Sequence, residues 1–309
     1  MSFKSDGYVE TPPELNRTLQ SLSNINSKPL SWSSKEIQSQ LPIDILLITA
    51  NKDAFIACYS YMKQVQRSSR WKLGMVYFGQ FGDGSSQNLR VALMRRGNGS
   101  MESHKAVANG VEILRPKVAL LVGICETLDL KTAKRGDVVI SAKLEIYNMK
   151  FKSDNTIEYC GTRPNVGQGM TKLILSAADG WKPPLKDPKS FKVNVHLGAL
   201  VLSGSNYIEN RERLKELKKQ IPDALVIENE EIVLLGLYPA AYDLEMEWAI
   251  VTGVSNLAGG SNLENVAGLW ERFATVVAAS IIHNMFKYSV VLEDWPHRRE
   301  TGSNSNISE

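Results

Sequence analysis

Three apolar runs, each opening into small or polar residues, constrain this chain more than any other feature: VALLVGICETLDLKTAKRGDVVIS (118–141), VHLGALVLSGSNYIENRERL (195–214) and ALVIENEEIVLLGLY (224–238). Short runs rich in Val, Ile and Leu read as strands buried on both faces. Where such a strand gives way to Gly, Ser, Asn and Glu, polar groups collect at the carboxyl edge of a sheet. That edge is where α/β folds take small molecules.

Strand and helix patterns alternate around these runs. Ile43–Ala50 predicts a strand and Asp53–Gln66 a helix, while Met75–Phe78 and Leu89–Met94 predict a hairpin around GQFGDGSSQN. A helix is expected over Met101–Leu114, stopped by Pro116, and then a strand over Val118–Val122. Further strands are expected at Asp137–Ser141, Glu145–Phe151, Val193–Ser203, Ala224–Glu228 and Glu247–Val254. The remaining helices are expected at 171–180, Glu209–Gln220, Glu231–Ala241 and Val266–Phe286, with a polar loop at 152–168. This order predicts an α/β fold, a three-layer α/β/α sandwich around a mixed, mostly parallel central sheet. Residues 1–40, rich in Ser, Asn, Pro and Lys, are expected to form a polar tail or linker that can dock through Leu30 and Trp32. The folded domain is expected over 41–290, with a polar C-terminal tail over 291–309.

Composition narrows the partners. Thirty-six basic residues against thirty-three acidic ones leave a net charge of +3, and no basic run is dense enough to track a nucleic-acid backbone. No stretch approaches the roughly 18 apolar residues of a membrane span, and the N-terminus carries no apolar signal segment. The three cysteines, Cys58, Cys125 and Cys160, are odd in number and form no CxxC pair, so they read as reduced thiols of a cytoplasmic protein. A small-molecule ligand is expected, with no nucleic-acid or membrane partner.

Several polar positions are candidates for holding that ligand. In RRGNGS (95–100), between a strand and a helix, Arg95 and Arg96 can receive an anion beside backbone amides; a solvated turn is the plain alternative. The segment lacks the third glycine of a dinucleotide fingerprint, and no P-loop GK[ST] occurs, so no cofactor is expected. ENEE (228–231) follows a buried strand directly, which puts Glu228 near the buried edge and in need of hydroxyl or amide donors. Ser255 and Asn256 end the last core strand, where an amide can meet the edge of a base or form an Asx turn. The four histidines, His104, His196 and His283 among them, are too scattered to predict a metal site.

Taken together, the segments from about Ile43 to Phe286 resemble the purine nucleoside phosphorylase and methylthioadenosine/S-adenosylhomocysteine nucleosidase superfamily. The resemblance is carried by LITANKDAF, the glycine turn after Met94, RPKVALLVGI followed by GDVVIS, and HLGALVLSGSNYI. ENE stands where the family has Glu-Met-Glu, and GVSN where it has Ser-Asp. Trp270 and the Ala-rich helix after it also fit.

The resemblance implies cleavage of an N-glycosidic bond in a purine nucleoside or nucleotide, hydrolysis being favoured over phosphorolysis. It also implies a homo-oligomer. On this likeness Tyr207 stacks on the base, the Ile208 backbone reads its edge, Glu230 holds the ribose hydroxyls, Asn229 lies beside the sugar and Asn256 assists departure of the base. Four departures stand against it. The family's acid is Asp where this chain has Asn256. Its water-orienting Glu falls on Ala54, with Asp53 adjacent as a substitute. The phosphate-binding Arg and Ser of hexameric phosphorylases fall on Leu121 and Ile124. A Gly-Gly is replaced by Glu126-Thr127. The alternative is therefore a catalytically impaired nucleoside- or nucleotide-binding or oligomer-scaffolding domain within a larger protein of signalling or immune type.

Overall fold

The computed structural model describes residues 11–19, 25, 27–84, 88–95, 100–146, 148–151, 157–160, 166–203, 215, 218–219, 221–228, 246–258 and 264–297. An inner strand of its sheet, β1 (Ile45–Thr49), is buried along its whole length. It pairs in parallel with β4 (Leu89–Arg95) on one side and β5 (Val118–Thr127) on the other. β4 continues antiparallel to β3 (Gly74–Phe81), which pairs with the edge strand β2 (Lys63–Arg70). On the other flank β5 pairs in parallel with β11 (Glu247–Leu257), and β11 antiparallel with β6 (Val138–Ile146). β6 then runs parallel to β9 (Val195–Ser203), and β9 to β10 (Ala224–Glu228). The sheet is thus nine-stranded and mixed, as expected.

A second pairing of β10, antiparallel to the far end of β5, changes its shape. It closes β5, β11, β6, β9 and β10 into a ring, so the polar end of β5 is paired on both sides, with β11 and with β10. A two-stranded ribbon, β7 (Asn148–Phe151) with β8 (Ile157–Cys160), stands apart.

Five α-helices are delimited among the described residues: α1 (Lys35–Gln38), α2 (Lys52–Tyr61), α3 (Ser100–Leu114), α4 (Gln168–Leu175) and α5 (Glu264–Met285). Gly110 of α3 faces Leu46 of β1, whereas the backbone of Ala274 in α5 lies against Gly253 of β11. Leu46 shares a face with Trp248 through their common partner Ala119, and Gly253 lies five residues beyond Trp248. Strand alternation therefore puts α3 and α5 on opposite faces, giving the layered architecture. α2 packs beside α5. No described helix is long and apolar enough to cross a membrane.

Several sequence expectations change at their boundaries. The helix expected to reach Gln66 stops at Tyr61, because Met62 is already extended and the chain turns into β2. KQVQRSSR hides as a strand because it is an edge strand, with Ser68 its one fully buried residue and charged side chains outward, which blunts edge pairing. The loop expected over 152–168 contains β8. The expected helices Glu209–Gln220 and Glu231–Ala241 fall largely or wholly outside the described residues.

The segment before β1 packs on the domain. The Leu30 amide donates to Arg67 O at 2.9 Å, Trp32 sets its edge against Phe78, and Ile37 is fully buried. Arg17 lies 4.2 Å over the Tyr61 ring, close to His283 of α5.

His283, against Tyr61 and Phe81, has its pKa pushed down to about 4 by burial, with Arg17, Lys63 and Lys287 adding to the effect. Its unfolded value is near 6.5, so the unfolded chain binds the extra proton first. Stability present above pH ~6.5 is lost as pH falls toward 4. Solvent screening of this partly open ring holds its share to about 1–2 kcal/mol. Urea midpoints of His283→Gln should show a flatter acid slope than the parent; an unchanged slope would assign the acid loss elsewhere.

Candidate active site

β1, β4, β5 and β11 run in one direction, so their carboxyl ends form one edge. On β11 the register shifts between Val254 and Asn256, leaving Ser255 as an extra residue. Such a bulge re-aims the side chain that follows it. Ser255 Oγ donates to Cys125 O at 3.3 Å, and both Ser255 and Asn256 are buried. Asn256 Oδ1 accepts from Arg135 Nη2 at 2.7 Å. The two residues expected at this strand end are therefore fixed in place, and a third, Arg135, joins them.

Arg135 is absent from the positions expected to hold a ligand, and the local structure explains how it arrives. The loop between β5 and β6 is wound tightly, Ala133 N and Thr132 Oγ1 both donating to Asp129 O. Gly136 N then donates to Val254 O at 2.8 Å, and Val254 N to Asp137 O at 2.8 Å, which straps the loop to β11 two residues before Asn256. Gly136 has φ +85 and packs under Phe273, Phe191 and Trp270, so a side chain there would be both strained and crowded. Asp137, fully buried, accepts from Lys134 N, from the Asn194 amide and side chain, and from His196 Nε2 at 3.0 Å. His196 thus serves this buried carboxylate. The one signal for Arg135 in the sequence was a basic residue before Gly-Asp, which ordinarily reads as solvated.

Glu126 of β5 is the cross-strand partner of Asn256 on one side and of Ile227 on the other. Glu228 follows Ile227 and ends β10 opposite Ser203. Asn256 and the end of β10 therefore flank Glu126, with β5 between their two strands.

Further along the edge, β1 opens into α2. Asn51 caps that helix by accepting from Ala54 N at 2.8 Å, and Asp53 lies in its first turn. Burial raises the carboxyl of Glu271 on α5 above the usual range, with the nearby Asp53 charge adding to the shift. Arg95, the Cα partner of Thr49, is exposed and holds its guanidinium 4.6 Å over the Phe55 ring. Ala54 and Leu121 are both buried in the core. Cys58 is also buried, its thiol pushed up to about 12, which leaves it inert. Tyr207, Ile208, Asn229, Glu230 and Arg96 lie outside the described residues, as does the side chain of Glu228.

Chemically, the described edge offers a buried amide fixed by a cation, a carboxylate at a helix start and an exposed guanidinium. These groups supply neutral and charged hydrogen-bond donors along one strand edge.

Comparison with known proteins bears on the fold. No family model matches the chain. Over 225 residues it is 25% identical to a death domain-containing ATP nucleosidase of Amphimedon queenslandica, a match covering 68% of this chain and 41% of that protein. The chain thus spans less than half the length of that relative. A 5′-methylthioadenosine/S-adenosylhomocysteine nucleosidase of Staphylococcus epidermidis is 23% identical over 177 residues, covering 57% of this chain and 73% of that one. Among solved structures, the nucleosidase of Neisseria meningitidis in complex with methylthio-immucillin-A matches with a TM-score of 0.61 at 17% identity, over 79% of this chain and 98% of that one. The futalosine hydrolase of Helicobacter pylori matches with a TM-score of 0.61 at 11% identity, over 79% and 97%. The resemblance drawn from the sequence therefore holds at the level of architecture: this chain has the nucleoside phosphorylase-like α/β fold shared by the nucleosidases and futalosine hydrolase.

Proposed function

We propose that this chain hydrolyses the N-glycosidic bond of a purine nucleoside or nucleotide and releases the free base. The observation that carries this reading is the buried Asn256 amide, fixed at the carboxyl end of a central strand by Arg135. The nucleosidase relatives support it, as does the adenine held by the similar nucleosidase of Colwellia psychrerythraea.

In the proposed reaction the bond between C1′ and N9 breaks through an oxocarbenium-like sugar, and its electron pair leaves with the base. Asn256 donates a hydrogen bond to the departing ring, a contribution of the kind made by a preorganised amide donor aimed at developing charge. Tyr207 stacks on the base, the Ile208 backbone reads its edge, Glu230 holds the ribose hydroxyls, and Glu228 and Asn229 line the sugar. Asp53, beside the Ala54 position, orients the water. The core position of Leu121 favours water over phosphate as acceptor. Arg95, together with Arg96, is assigned to a 5′-phosphate, which makes a nucleotide the favoured substrate; the ATP nucleosidase relative supports that choice. The active form is proposed to be a cytoplasmic homo-oligomer.

Chromatography of free base after incubation with adenosine, inosine, guanosine, AMP or ATP, each with and without phosphate, tests the reading. Release from a nucleotide, unchanged by phosphate and abolished in Glu230→Ala, is expected. Absence of release from every substrate, alongside thermal stabilisation by one of them, would replace hydrolysis with the binding-domain alternative.

A further inference from the structure

We propose that Arg135 is a positioning residue that locks Asn256 as a one-way donor to the departing base, so that the base leaves by polarisation and not by protonation. The proposal rests on the purine-cleaving reading above. A guanidinium carries donors only. The atom it meets at 2.7 Å must therefore be the amide oxygen, and the flipped amide would set donor against donor. With Oδ1 held, the NH2 group of Asn256 is aimed away from Arg135 and has hydrogens to give.

The cation does more than orient. A charge-assisted bond in a part-buried setting is stronger than a neutral one and polarises the groups chained to it. Pulling electron density toward Oδ1 makes the NH2 a better donor, which suits a purine gaining negative charge. The balance needs water alone. The C1′–N9 electron pair enters the purine ring, the oxygen of water forms the new bond to C1′, and the proton that water loses ends on the released base by way of solvent. The strap through Gly136, Val254 and Asp137 fixes the Arg135 backbone against β11, so the lock is in place before a ligand arrives.

One consequence runs against what the resemblance suggests. Asn256→Asp would install the acid that the family uses, yet a carboxyl beside Arg135 is held ionised by the adjacent positive charge. It would have no proton to give near neutral pH and would present an anion to a leaving anion. Removing the guanidinium as well would free that carboxyl to hold a proton in a buried site.

The test compares the parent protein with Arg135→Met, Arg135→Lys, Asn256→Asp and the Arg135→Met/Asn256→Asp pair. For each, kcat and KM are measured across the acid and neutral range on the substrate that the parent cleaves, with circular dichroism confirming the fold. Arg135→Met should lose on the order of 10²-fold in kcat with KM little changed, and Arg135→Lys should recover part of the loss. Asn256→Asp should be nearly inactive at neutral pH, and adding Arg135→Met to it should raise kcat and bring in an acid limb. A purely structural role for Arg135 cannot produce that reversal of sign. The lock is overturned if Arg135→Met turns over like the parent, or if it lowers Asn256→Asp further. If the parent releases no base, the purine-cleaving reading fails first, and calorimetric titration with adenine and hypoxanthine then decides the lock. A roughly tenfold loss of base affinity in Arg135→Met, about 1.4 kcal/mol, would retain the lock as a recognition device. Equal affinity, or no base binding by the parent, would remove it.

Discussion

Gly253→Ala is expected to cost this domain about 3 kcal/mol or more of stability, because the added methyl has nowhere to go. Its Cβ would lie 2.2 Å from Ala274 O and 2.5 Å from Ala274 C, which are backbone atoms of α5. A flexible side chain can swing aside, but a helix backbone cannot move without its neighbours. Trp270, Phe273 and Val277 of the same helix are buried in the core, so shifting α5 would disturb contacts of several large side chains together. Overpacking a well-filled core ordinarily costs 1–3 kcal/mol and exceeds that where backbone must yield. The strain would also reach the site. Gly253 O receives the Cys125 thiol, and the next residue, Val254, carries both hydrogen bonds that hold the loop of Arg135. Urea unfolding followed by circular dichroism measures the first effect, and base release at a temperature where the variant is still folded measures the second. A midpoint unchanged within error would mean that α5 and β11 are not packed as described.

The same strand shows why some of the molecule could be read from its residues and some could not. β11 and β5 announce themselves because both faces are buried, so nearly every residue is apolar and the run ends visibly in polar residues. Asn256 was legible for that reason. The expected strand over Val118–Val122 nevertheless stopped short of Glu126-Thr127, which β5 includes. Those polar residues are carried by pairing with β11 and β10, a constraint that local composition does not encode. β2 escaped because an edge strand meets water and is selected for charge. The contact of Arg135 with Asn256 spans 121 positions and depends on a strap that exists once β6 and β11 lie side by side. His196 was equally opaque: in a strand it is one histidine, and its meaning comes from Asp137, 59 positions earlier.

Asp137 is the position from which fold and site should fail together. Its two oxygens accept from Lys134 N, Asn194 N, Asn194 Nδ2 and His196 Nε2 while almost no part of the side chain meets solvent. Asp137→Ala removes the acceptor and leaves buried donors facing a void, for which about 3–5 kcal/mol is expected, as for other buried pairs broken on one side. Asp137→Asn is the finer probe. Whichever way its amide turns, the NH2 replaces an oxygen that now receives either Lys134 N or Asn194 N, so one donor must face another. About 2 kcal/mol is the expected cost of one such unsatisfied group. The carboxylate sits one residue past Gly136 and two past Arg135, so losing it should slacken the loop as well as the core. The Asn variant, assayed well below its melting temperature, should therefore lose kcat in the same direction as Arg135→Met, with KM less affected. A variant that melts early yet turns over at the parental rate would separate the two roles, leaving Asp137 to the core and the strap at Val254 alone to hold Arg135.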